Sequence, residues 1–126
     1  MLLAGVCVLF LVKRAPRPAA SPHLMIRVEV LNGCEEPGLA GRCSEFLQRQ
    51  GYDVVHTGNA GGFSFTESIV LDRAGALQKA TEIGQVLGIP NVIQQINTDP
   101  YRREEVTVIM GRDHYLLTPG VGRQGR

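Results

Sequence analysis

The chain has 126 residues, one domain by length, and about 90 remain to fold once its apolar start and Pro/Gly-rich end are set aside. That is enough for one two-layer core but not for a deep cleft between domains. Thirteen basic side chains against twelve acidic ones leave a formal charge of +1, with no broad electrostatic footprint for nucleic acid, so DNA or RNA binding is disfavoured.

Residues 1–14 form the first segment. Met1 to Val12 are almost entirely apolar and lead into Lys13 and Arg14. The run is shorter than the roughly 20 residues a spanning helix needs. Three readings stand: a signal anchor truncated by a start placed too far downstream, a cleaved signal peptide, or a buried apolar arm. The first is carried forward, as a membrane segment. Taken literally, the basic flank after the run would keep the folded part in the cytoplasm. Under the truncated-anchor reading that comparison lacks its other half. Leu3 to Cys7 approaches a lipoprotein box, but Val6 separates the small residues from the cysteine. Residues 15–24, rich in Pro and Ala, are expected to be a linker.

The folded domain is expected over residues 25–115. Ile26, Val28 and Val30 alternate with Arg27 and Glu29, the period of a strand with one buried face. Asn32-Gly33 makes a turn, and a helix is predicted from about Pro37. Leu39, Ala40, Cys43, Phe46 and Leu47 share one face of that helix, and Gly51 caps it. Tyr52 to Thr57 reads as a second strand, and the glycines of 58–62 suggest a hairpin-like return into a third ending at Leu71. Asp72 to Gly75 turns into a second helix carrying Ala76, Ala80, Ile83 and Leu87, stopped by Gly88 and Pro90. Asn91 to Ile96 is a short strand, 99–104 a charged loop, and Glu105 to Met110 the last strand. Residues 116–126 hold too little apolar content to pack and are expected to be disordered.

The order predicts an α+β fold: a ferredoxin-like, split βαβ two-layer sandwich with two helices on one face of a mostly antiparallel four- to five-stranded sheet. The other face of the sheet is expected to be open. A Rossmann sheet is disfavoured because a glycine loop without helical pattern joins the second and third strands.

Gly33 and Gly38 have the spacing of the first two glycines of a phosphate loop. Leu39 and Ala40 stand where such a loop needs Lys and Ser/Thr, and Glu35 and Glu36 would repel phosphate, so nucleotide binding is rejected. Cys34, Cys43 and His56 lack the close pairs of a metal site, and Cys43 belongs to the apolar stripe; neither a metal nor a Cys34–Cys43 disulfide is expected. His23, His56 and His114 are scattered through linker, strand and tail, and Glu35-Glu36 and Glu104-Glu105 are adjacent carboxylates. No catalytic set or cofactor is expected, and a binding role is favoured over an enzyme.

Four stretches in this order carry a family resemblance: Val28-Glu-Val-Leu-Asn-Gly33, Glu36-Pro-Gly-Leu-Ala-Gly-Arg42, Gly51-Tyr-Asp-Val-Val55 and Val106-Thr-Val-Ile-Met-Gly-Arg-Asp113. Together they resemble the C-terminal domain of the LytR/CpsA/Psr family, LytR_C, over about residues 25–115. Two departures are Cys34 and Cys43, unusual for an exported domain, and His114, where an aromatic often follows the final aspartate. In that family the domain usually follows a membrane anchor and a catalytic domain that transfers glycopolymers to peptidoglycan, and the catalytic domain has no counterpart in this sequence. The resemblance implies a membrane-tethered, extracytoplasmic accessory domain that binds cell-wall glycan (peptidoglycan or another envelope polymer) or an envelope protein. The alternative is a protein-interaction domain acting through a sheet edge, placed in the cytoplasm by the literal reading of the basic flank. Asn32, Arg73, Arg112 and Asp113 are the candidate ligand contacts. A structural reading competes at the same positions, with Asn32-Gly33 making the turn and Asp113 bonding backbone amides.

Overall fold

The structure, a computed structural model, describes residues 26–62 and 64–122. In chain order it has β1 (Arg27–Asn32), α1 (Leu39–Arg49), β2 (Asp53–Asn59), β3 (Ile69–Asp72), α2 (Leu77–Leu87), β4 (Val92–Gln94) and β5 (Val106–Met110), then a short 3-10 turn over Arg112–Leu116. The apolar residues predicted for α1 are all buried, as are Ala80, Ile83 and Leu87 of α2. α1 begins at Leu39 rather than at Pro37, because Gly38 takes a left-handed φ of 74° that breaks the helical path. Gly51 and Gly88 end the helices, also with positive φ.

The sheet order is β2-β1-β5-β3-β4. β1 pairs in parallel with β2 and β5, β3 pairs in parallel with β4, and only the β3–β5 pairing is antiparallel. The fold is thus α+β with two helices and a five-stranded mixed sheet. The expected antiparallel majority and the split arrangement are corrected. Each helix returns the chain to the end where the preceding strand began, so each βαβ unit lays its second strand directly beside its first. β5 then enters between the two units.

The hairpin-like return after β2 is corrected too. β2 is an edge strand, and residues 60–62 and 64–68 run past the ends of β1 and β5 toward β3. Backbone bonds mark the route: the Ala60 amide donates to Asn32 O, that of Phe65 to Gly33 O, and that of Arg112 to Phe65 O. Gly33 allows this close passage, since a Cβ there would lie 2.7 Å from Ile109 and 2.8 Å from Phe65.

Both helices cover one face. Val28, Val30, Val70, Val106, Val108 and Met110 pack there against Leu39, Cys43, Leu47, Ala80, Ile83 and Leu87. The other face was expected to be open, yet part of it carries a small cluster of Ala60, Leu71 and Ile109, flanked by Leu31, Phe65 and Ile69. The central strand β5 is accordingly buried along its whole length. Cys34 and Cys43 are buried free thiols, and burial pushes the Cys43 thiol up to about 12.

The tail expected to be disordered is corrected over residues 116–122. Val121 is fully buried in the helix-side core, with Leu117 packed against it. The glycine after Val121 lets the backbone come close, since a Cβ on Gly122 would lie 2.8 Å from His114. The expected apolar segment 1–14, the linker 15–24 and residues 123–126 lie outside the described residues. Among the described residues, no helix is long and apolar enough to cross a membrane.

Candidate functional site

The four residues picked from sequence do not converge. Asn32, Arg112 and Asp113 lie at or just past the carboxyl ends of the parallel strands β1 and β5. Arg73 follows β3, which runs the other way, so it sits at the opposite end of the sheet. Most of their polar atoms are committed internally. Asn32 is buried; its Nδ2 donates to Glu36 O at 2.8 Å and its Oδ1 accepts from the Cys34 amide at 3.0 Å, which shapes the loop into α1. Asp113 Oδ1 accepts from the amide and the hydroxyl of Ser68, at 2.9 and 2.7 Å. Arg73 Nη1 donates to the backbone and side-chain oxygens of Gln95, while its Nε is buried without a hydrogen-bond partner. The Arg112 side chain is exposed. For Asn32 and Asp113, the geometry is that of the structural reading.

Beside Asn32, the carboxyl ends of β1 and β2 border an open depression of about 460 Å³ lined by Cys34, Glu35, Glu36, Pro37, Gly38 and Asn59. Leu39 and Ala40, the residues that replace a phosphate loop's Lys and Ser/Thr, are buried in the core.

The sheet face away from the helices holds a second arrangement. In register across β2, β1 and β5 stand His56, Glu29 and Thr107. Thr107 Oγ1 donates to Glu29 Oε1 at 2.9 Å, and His56 Nδ1 lies 2.9 Å from Glu29 Oε2. A carboxylate only accepts, so the imidazole carries its proton on Nδ1 and leaves Nε2 for another partner. Thr107 is buried, the Glu29 side chain is 20% exposed and that of His56 58%. The row therefore runs from the covered sheet centre to an open edge.

A bulge creates the row. The β1–β2 register shifts between Val28 and Glu29, leaving Val55 as the extra residue. Without it His56 would oppose Val30 and point toward the helices. With it, Thr57 takes the helix-side position, its hydroxyl 2.9 Å from that of Ser44, and His56 turns to the open face.

Charged groups border the row at the amino ends of β1 and β5. Arg27 Nε donates to Arg103 O at 2.6 Å, and Lys79 Nζ donates to Glu105 Oε2 at 2.7 Å. Burial works to raise the Glu105 pKa, but the hydrogen bonds from Lys79 and the Arg27 amide, with the charges of both residues, hold it below its ordinary value. Among the described residues no three His, Cys, Asp or Glu side chains are grouped to hold a metal ion.

The sequence pattern does not single out Glu29 or Thr107 as site residues and leaves His56 as an isolated strand histidine. Their alternation marks Glu29 and Thr107 as the faces opposite the valines, but only the β1–β5 pairing and the bulge bring the three side chains together. The family model described as LytR cell envelope-related transcriptional attenuator matches residues 25–114. No curated protein and no solved structure matches the chain.

Proposed function

The chain belongs to the LytR_C family, a cell-envelope-related domain family, and from that premise we propose that it is a non-catalytic accessory domain that binds cell-wall glycan. The family match carries this reading. In it, the apolar residues 1–14 tether the domain to the membrane through the linker 15–24, and the domain lies outside the cytoplasm. The glycan contact is the open sheet face, where His56 Nε2, its ring proton held on Nδ1, and the Glu29 carboxylate are acceptors for sugar hydroxyl and amide N–H groups. A row of side chains on a rigid sheet holds such groups in fixed register without ordering a loop on binding.

Purified cell-wall sacculi are expected to retain the full chain, and His56→Ala or Glu29→Gln to lower retention at least fivefold without changing the circular dichroism spectrum. Absence of retention beside a binding positive control removes the glycan reading.

One observation favours a second reading, a protein-interaction domain. β2 is a seven-residue edge strand with a largely exposed burial pattern, which offers unpaired backbone groups to another strand. The Val55 bulge disfavours regular pairing along that edge, so the glycan reading is preferred. On the second reading, sacculi retain nothing.

A further inference from the structure

Residues 115–122 lie beyond the family match, yet they are attached to the domain at three points. At the carboxyl end of α2, the Thr118 amide donates to Leu87 O at 3.0 Å and its hydroxyl to Val86 O at 2.9 Å. In the middle, Val121 is fully buried, and its amide donates to Thr118 O to close a turn through Pro119 and Gly120. At α1, Arg42 donates from Nε and Nη2 to Gly122 O at 3.3 and 3.1 Å, while its Nη1 holds Pro37 O.

The fit is close on both sides. A Cβ on Gly122 would lie 2.8 Å from His114 and 3.2 Å from Leu39, and a Cβ on Gly88 would lie 3.0 Å from the Thr118 amide and hydroxyl. The Thr118 amide and hydroxyl, the Leu117 and Val121 side chains and the Gly122 carbonyl hold the segment, and the residues leading into it, Tyr115 and Leu116, are exposed. A short peptide folded into one turn sits in a groove in this way: two side-chain anchors, backbone bonds to the host, and small residues between.

We propose that the groove between α1 and the carboxyl end of α2 is a peptide-docking site, filled in cis by Leu117–Gly122 as an exchangeable ligand anchored by Thr118 and Val121. The site takes peptides of the pattern Thr-x-x-Val-Gly. The hydroxyl is read by the last carbonyls of α2, the β-branched side chain by the core, and the following carbonyl by Arg42. A covalently attached ligand excludes competitors because its effective concentration is in the millimolar range. The site opens only when the cis segment leaves.

Two measurements on the full chain test this. In native-state hydrogen exchange of the wild-type protein, the Thr118 and Val121 amides are expected to exchange at least a hundredfold faster than that of Val108, through a local opening. Exchange of all three at one rate would make the segment part of the global core and overturn the proposal. Second, a fluorescent synthetic peptide of residues 116–126 is expected to bind a Val121→Asp chain at least tenfold tighter than the wild type. The same peptide carrying Val121→Asp is expected not to bind. A folded Val121→Asp chain that does not bind the peptide, or a Val121→Asp chain that cannot fold, would each overturn it.

Discussion

Asp72→Ala is expected to lower the unfolding free energy by about 2–4 kcal/mol in a urea titration, among the larger losses from any single side chain of this domain. Asp72 is fully buried at the end of β3. Its Oδ1 accepts the amides of Ala74, Gly75 and Ala76 at 3.0–3.1 Å, and its Oδ2 accepts Nε2 of Gln94 at 2.8 Å. One carboxylate therefore folds the turn that launches α2 and ties β3 to β4. Alanine leaves three backbone donors and an amide without their acceptor.

The same residue sets a pH dependence. Burial works to raise the Asp72 pKa, but the bonds from Gln94 and from the Ala74, Ala76 and Gly75 amides outweigh it and hold the carboxyl below its ordinary value. The unfolded-state value is about 3.9. With the folded pKa below that, the stabilisation is complete above the unfolded value and is lost as pH falls through the folded one. Glu105 shifts in the same direction. Wild-type stability should thus decline from about pH 5 downward. The Asp72→Ala protein should show a flatter decline, having already lost that contribution.

Gly111→Ala and Gly41→Ala make the same chemical change with opposite expected signs. A Cβ at Gly111 would lie 2.5 and 2.7 Å from the carbonyl carbon and oxygen of Glu67. That backbone cannot retreat, because Arg112 and Asp113 bond Phe65 O and Thr66 O and the Gly111 amide donates to the Ser68 hydroxyl at 2.9 Å. Gly111→Ala should cost about 3 kcal/mol through steric overlap, its φ of −106° being open to any residue. Gly41, inside α1, has nothing within 4 Å of such a Cβ, and its replacement should gain about 0.5–1 kcal/mol. Thermal melts of the two variants should shift in opposite directions. A destabilised Gly41→Ala would mean that α1 does not run through that position.

Local patterns were readable where a single element decides the outcome. The stripe from Leu39 to Leu47 has only one way to bury itself, and Gly51 and Gly88 stop their helices for local conformational reasons. Pairing was not readable, because nothing in the composition of β5 says that it inserts between β1 and β3. Two of the parallel pairs come from the βαβ units, while the third and the separation of Arg73 from Asn32, Arg112 and Asp113 follow from that one insertion. His56 depended on a single extra residue in β2, which reverses its face. Asp72 read as an ordinary turn residue because its four donors come from two segments, and Val121 was hidden in a stretch whose Pro and Gly content suggested disorder.

The central claim is that the His56–Glu29–Thr107 face contacts cell-wall glycan. Titrating the isotope-labelled chain with soluble peptidoglycan fragments tests it most directly. Saturable amide chemical-shift changes are predicted at Glu29, His56 and Thr107, with Gly38 and Val121 unmoved. Changes confined to the loop around Gly38, or no change at the three row residues at saturating fragment, would contradict it.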